Sequence, residues 1–382
     1  MLNATKREWA LDFFNKCEEK ISRILEDISI DYPMDIRGNK KKYEETEHTP
    51  FNWTSGFWGG MMWLLYLQTR KDKYKERAIK CSERMQESFG GNEHFYSLDN
   101  HDLGFVHTPT SVAHYKILGD ENAKIRGLHA ATLLAGRFNL NGNFIRAWSV
   151  ANSSSGNNVD GYAIIDCMLN LPLLYWASEL TSDPRYSAIA KANADTVMKE
   201  FIKQDGSVYH IVEFDTHTGK VKGYPKGQGY ASGSSCSRGQ TWAIYGFILS
   251  YIHSKDEKYL NAAKGVADYI VKNIGNYTIA PVDYMQPTNV QKVDASASAI
   301  TACGMLELAK ALDGKESEKY EEFAIKLIEG LYEDCDFSDK NQAIIQNACE
   351  FYNGENFPII YADYFLIEAL MKYIGEVDFL IW

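Results

Sequence analysis

The sequence predicts an all-α fold, an (α/α)6 barrel of six helical hairpins with a small β-hairpin in a rim loop. Three observations carry this expectation. Apolar residues recur at three- and four-residue spacing through most of the chain, a helix–turn–helix unit repeats along it, and the residues without helical period gather in the loops between units.

The spacing is clearest over Trp9 to Leu25, Arg77 to Met85, Ile164 to Trp176 and Tyr364 to Tyr373. Five copies of the repeat follow one pattern: an aromatic, apolar helix ends in a short Lys/Asp/Gly turn, and a second helix begins with Tyr or a small residue followed by Ala. They run from Leu65 to Ala78, Tyr115 to Ala130, Ala177 to Ala192, Tyr251 to Ala263 and Ala309 to Ala324. Tyr361 to Tyr373 pairs with the N-terminal helix as a sixth. The units recur at roughly 50 to 75 residues, room for two helices and a long loop. Helix hairpins that bury one face must be closed by neighbours, so six of them close on themselves or stack as an open solenoid. Alternation of strand type is confined to Ser207 to Phe214 and Lys220 to Tyr224, joined by the turn Asp215 to Gly219. Nothing in the composition marks a linker, and residues 1–382 are read as one domain.

A net charge of −11 argues against nucleic acid and anionic membrane as partners, because both are gathered by basic fields. No apolar run approaches the ~20 residues that cross a bilayer. The first 17 residues lack the uninterrupted apolar stretch of an export signal. Seven scattered cysteines without a CxxC pair read as reduced thiols of a cytoplasmic protein. A monomer or weak homo-oligomer is expected.

The loops 50–58, 97–109, 143–160, 223–240, 278–294 and 352–363 collect Gly, aromatic, His, Arg and Asp residues, as expected where rim loops build a concave site. Asp166 leads an otherwise apolar stretch, so burial is expected to raise its proton affinity towards that of a general acid; an N-cap or a buried ion pair is the alternative. Asp102, in a loop entering a helix, offers a second carboxylate, with a helix cap as its alternative. Asp160 and Asp99 are rivals. In the stretch GQGYASGSSCSRGQTW, Arg238 suits bidentate capture of a carboxylate, or else a structural pairing with a neighbouring Asp. Gln228 and His210 are candidate ligands of sugar hydroxyls, with a plain surface residue on the hairpin as the alternative for His210. Trp53, Trp58, Trp148 and Trp242 lie in or beside the rim loops and form a candidate sugar platform, whereas Trp63 and Trp176 read as core. His101, Asp102 and His107 fall short of a metal site, since the two histidines share no helix face and no third ligand is evident. The sequence has no GxSxG, HExxH or Walker A motif.

Several stretches in order resemble unsaturated glucuronyl hydrolases, glycoside hydrolase family 88: WTSGFWGGMMWLLY from Trp53, NHDLGF from Asn100, IRAW from Ile145, AIIDCMLNLPLLYWASE from Ala163, GQGY and SRGQTWAIYGF from Gly227, DASASAITACGMLELAK from Asp294, and IYADYFLIEAL from Ile360. The resemblance implies an (α/α)6 barrel without metal or organic cofactor. It implies hydration of a vinyl ether in a Δ4,5-unsaturated uronic acid at the end of a lyase-generated oligosaccharide. Matching the motifs makes Asp166 the catalytic acid and base and Asp102 the second required carboxylate. Gln228, Arg238 and His210 become ligands of the uronate, and Trp58, Trp148 and Trp242 its aromatic walls. Two positions depart from the family pattern: Cys236 stands where an aromatic residue is usual, and Gly227 where many members have His. Both bear on which leaving sugar is accepted. The rival readings are an unsaturated rhamnogalacturonyl (galacturonyl) hydrolase and a non-catalytic sugar-binding barrel.

Overall fold

A computed structural model describes residues 4–28, 32–46, 52–89, 100–148 and 159–382. Asp99 and parts of three expected rim loops fall outside the described residues. The helices are α1 (Ala4–Ile24), α2 (Ser55–Thr69), α3 (Asp72–Arg84), α4 (Leu103–His107), α5 (Ala113–Leu118), α6 (Glu121–Gly136), α7 (Pro172–Thr181), α8 (Pro184–Glu200), α9 (Ser237–Ser254), α10 (Glu257–Asn273), α11 (Ala295–Lys310), α12 (Gly314–Asp334) and α13 (Ile360–Ile374). A π-helical turn, Thr108–Val112, joins α4 to α5 into one rod. The hairpins are α2/α3, α4–α5/α6, α7/α8, α9/α10, α11/α12 and α13/α1, the six units the repeat predicts.

Composition sorts the two rings. Helices α9 and α11 are mostly apolar or small on every side, and the runs from Ser237 to Ser250 and from Ala295 to Ala309 are wholly buried, Arg238, Gln240 and Glu307 among them. Such helices need neighbours all round, which an inner ring supplies. Helix α3 buries only Tyr74, Ala78, Cys81 and Ser82, one stripe at helical spacing, and lies outside. Contacts of α2 with α13, α13 with α11, α11 with α9, α9 with α7, α7 with α4 and α4 with α2 close the inner ring, so the open-solenoid alternative fails.

The turns repeat for a local reason. Five inner helices end on a left-handed residue, Arg70, Gly119, Ser182, Lys255 or Gly375, whose N–H returns to the carbonyl four residues back. Asp120, Asp183 and Asp256 then cap the outer helices through side-chain bonds to backbone N–H groups.

Strands are short: β1 (Tyr32–Pro33) pairs with β2 (Glu45–Thr46), and β3 (Phe138–Asn139) with β4 (Phe144–Ile145). The expected hairpin forms between β6 (Ile211–Phe214) and β7 (Val221–Gly223), and β5 (Tyr162–Ile164) joins it as a third antiparallel strand. The helix expected from Ile164 therefore begins later. Its residues form the end of β5, a 3-10 turn over Ile165–Leu169 and then α7, because the Ile164 to Ile211 pairing claims the backbone before Pro172 starts the helix.

Inside the barrel Lys372 Nζ lies 2.5 Å from Glu307 and 3.3 Å from Glu368, and the Trp382 indole donates to Glu368 at 3.0 Å. Removing the cation leaves two buried carboxylates facing each other. Lys372→Met is expected to destabilise the fold by about 3–5 kcal/mol, read from the urea unfolding midpoint.

Candidate active site

The N-terminal ends of the inner helices share one rim, and the candidate residues sit there. Asp102 occupies the N-cap position of α4, but its carboxylate makes no capping bond. The turn is held instead by Asn100, whose Oδ1 accepts the Asp102 N–H at 2.8 Å and whose backbone bridges to Trp148. The capping alternative is thereby removed, and the carboxylate stays available for chemistry.

Asp166 is placed by the sheet. Past the Ile164 to Ile211 pair the ladder takes one more step, Ile165 N–H to His210 O at 3.1 Å, which sets the next side chains together. His210 Nε2 lies 3.2 Å from Asp166 Oδ1, an ionic approach whose angle falls short of a hydrogen bond. His210 Nδ1 accepts the Gln228 N–H at 3.2 Å, which leaves the ring proton on Nε2, facing the carboxylate. Gly227 makes this contact possible: with φ of +64° it passes so close that a Cβ there would overlap the His210 ring.

The electrostatics correct one expectation. Burial does raise Asp166, but His210 and then Arg238 outweigh it, and the carboxyl lies below its ordinary range. Asp102 takes the upward shift instead: burial, then the charge of Asp166, push it up to about 8 against the opposing pull of Arg137 and Asn170. Two carboxylates that repel in a dry site titrate together, and near neutral pH this pair carries one proton. His101, fully buried, is pushed down to about 3 by burial and is neutral; its Nε2 is 3.4 Å from Asp102 Oδ1.

Arg238 stands at the second position of α9, 3% exposed. It donates to Tyr361 Oη at 2.7 Å, to the Glu350 carbonyl at 2.8 Å and to Gln228 Oε1. All three acceptors are neutral, and no carboxylate among the described residues pairs with it. Its charge is therefore uncompensated at contact distance, as a site for a ligand carboxylate requires. Cys236, at the N-cap of α9, is buried and its thiol is pushed up to about 12 by that burial, so it stays protonated.

The tryptophans divide differently from the expectation. Trp58 and Trp242 lie within α2 and α9 at 1% and 0% exposure, as members of the core and not of loops. Trp148 is half-buried against Tyr162, and Trp53 packs on Tyr361 with ring centroids 4.8 Å apart. Buried polar atoms that make no hydrogen bond gather beside the two carboxylates: both ring nitrogens of His101, Asp166 Oδ1 and His210 Nε2. Such a cluster marks a ligand site more than a fold. Asp160 pairs with Arg146 at 3.2 Å on the surface and leaves the carboxylate pair as the stronger candidate.

His107 stacks on Phe89 and meets Ser111, away from Asp102, and the described residues hold no cluster of three or more metal-type ligands. Two clefts of about 420 Å³ each, beside α8 and after α10, include neither Asp102 nor Asp166. Sequence reasoning missed Tyr361 and Asn170, which sit in apolar helical runs; their only signal was a polar group inside such a run.

Fold and site together point to a hydrolase class, the (α/α)6-barrel glycosidases. The glycosyl hydrolase family 88 model matches residues 30–365, and the chain belongs to that family. It is 32% identical over 345 residues to the unsaturated glucuronyl hydrolase of Bacillus sp. (strain GL1), covering 88% of this chain and 89% of the relative. It is 33% identical over 330 residues to the unsaturated chondroitin disaccharide hydrolase of Streptococcus pneumoniae (strain ATCC BAA-255 / R6), covering 84% and 81%. The crystal structure of the Bacillus sp. GL1 enzyme superposes with a TM-score of 0.89 at 30% identity over 97% of both chains.

The shared proton predicts a pH dependence. Asp102 is raised, so the protonated pair persists to about pH 8 and is lost above it. In the free enzyme kcat/KM is expected to fall as pH rises through about 8, and Asp102→Asn, which cannot ionise, is expected to abolish that limb in a pH-rate profile.

Proposed function

We propose that this protein removes the Δ4,5-unsaturated uronic acid from the non-reducing end of lyase-generated, glycosaminoglycan-type oligosaccharides, by acid-initiated hydration of the C4=C5 vinyl ether. The observation that carries the proposal is a carboxylate pair holding one proton beside an arginine that no carboxylate among the described residues contacts directly. The solved complex of an Asp→Asn mutant of the Streptococcus agalactiae enzyme with dGlcA-GalNAc6S, TM-score 0.83 at 27% identity over 100% of this chain and 94% of that one, supports the same substrate class.

In this reading the uronate carboxylate binds Arg238, with Gln228 and His210 orienting it and Trp148 flanking the ring. Binding an anion at Arg238 weakens that cation's hold on Asp166, so the carboxyl gains proton affinity and takes up the pair's proton. Asp166 then delivers it to C4, leaving positive charge shared between C5 and the ring oxygen. Water adds at C5 and gives a proton back to Asp166, which restores the acid. The hemiketal opens by breaking the bond between C5 and the ring oxygen; the hemiacetal left at C1 releases the remaining saccharide and leaves a keto acid. Asp102 supplies the shared proton and by its own charge state sets that of its partner. No metal or organic cofactor is needed for any of these steps.

We further propose a single catalytic unit over residues 1–382, a monomer or weak homo-oligomer, in a reducing cytoplasm. The seven free thiols support that compartment.

Loss of the vinyl-ether absorbance, followed with unsaturated chondroitin, hyaluronan, heparin and pectin disaccharides, tests the reading. Turnover of the glycosaminoglycan products is expected, and a clear preference for the pectin product replaces the glucuronyl assignment with the rhamnogalacturonyl one. Asp166→Asn is expected to cost at least ~10³-fold in kcat, within the span a lost acid and base can reach. Binding without turnover in the unaltered protein identifies a non-catalytic barrel. Chelation with EDTA is expected to leave the rate unchanged.

A further inference from the structure

Asp102 and Asp166 come from different hairpins, and one side chain bonds to both turns. Asn170, fully buried, follows the 3-10 turn that carries Asp166. Its Oδ1 accepts the Phe105 N–H at 2.7 Å, in the first turn of α4 beyond Asp102. Its Nδ2 donates to the Asp166 carbonyl oxygen at 3.3 Å. The first partner can only donate and the second only accept, so the orientation of the amide is fixed. The same side chain also pulls the Asp102 carboxyl downward against the effect of its burial. The backbones are in close approach at this point, since a Cβ on Gly104 would overlap the Asn170 backbone.

We propose that Asn170 is a positioning residue that clamps the Asp102 turn to the Asp166 turn and so sets how the two carboxylates share their proton. The proposal rests on the hydrolase reading above and deepens it. A bond of purely structural value needs only the two backbone partners; the downward pull on the Asp102 carboxyl, a few residues from one of them, gives Asn170 a hold on the titration. The groups facing the pair from the surrounding elements are His101, Arg137, Cys167, His210 and Arg238. Asn170 is the group bonded to both sides of the pair, and being uncharged it adds no repulsion between them.

Asn170→Asp and Asn170→Ala test the clamp in the full-length protein, with unsaturated chondroitin disaccharide as substrate and the unaltered protein as reference. Asn170→Asp keeps the shape and the acceptor for Phe105 but replaces the donor and adds negative charge; Asn170→Ala removes the clamp. Both changes relieve the downward pull on Asp102, so the high-pH limb is expected to move to higher pH. A fall in kcat of about 10- to 10²-fold, with KM nearly unchanged, is expected from displacement of positioned groups. Should Asn170→Ala not fold, the isosteric Asn170→Asp decides alone. Folded variants with unaltered kcat and an unmoved limb overturn the proposal. So does a lower kcat with an unmoved limb, which reduces Asn170 to a structural bond. If the unaltered protein binds the disaccharide without turning it over, the hydrolase reading fails and the clamp with it.

Discussion

Two carboxylates brought into one buried rim cannot both ionise without large cost, and the arrangement of the site follows from that repulsion. Asp166 is stabilised as the anion by His210 and Arg238, so the proton excluded from it resides on Asp102. The neighbours that act on the pair are cationic or neutral. His101 is kept uncharged by complete burial, and Asn170 reaches both turns without carrying charge. A second cation in direct contact would empty the pair of its proton; a third carboxylate would hold that proton too tightly for transfer.

The barrel makes this geometry rigid by supplying the two aspartates from separate rods. Helix α4 enters the rim through the Asn100 turn, while Asp166 is delivered by a three-stranded sheet that ends one residue before it. The sheet therefore has a task beyond closing a loop: its last hydrogen bond, from Ile165 to His210, places imidazole against carboxylate. Arg238, on a third rod, points its guanidinium at neutral oxygens. The N-termini of α9, α11 and α13 add the positive ends of their dipoles to the same rim. A chain of net charge −11 can in this way present a locally positive pocket to an anionic sugar.

The barrel itself was legible in the sequence because its cause is local. Mostly apolar or small residues all round α9 and α11 against a single stripe on α3 separate inner from outer ring, and the Asp caps of α6, α8 and α10 mark the turns. Asp166, Asp102, His210, Gln228 and Arg238 could be picked out as unusual residue types in their settings, and the structure gathers them. The sequence could not rank the two carboxylates. Burial alone points upward for both, and the ranking depends on which one lies beside His210 and Arg238. Nor did it reveal that Trp58 and Trp242 are core members, since a Trp near a loop boundary reads alike whether it faces solvent or the barrel interior.

The sequence by itself determined the helical hairpins, their number, and the residue types available at the rim, because periodicity and caps act over a few neighbouring positions. Tertiary structure alone decided that β5 displaces the start of a helix, that Asn170 spans two hairpins, and which aspartate holds the proton. Those outcomes depend on distances between groups tens of residues apart in the chain, and the energy of a charge is set by what surrounds it in space.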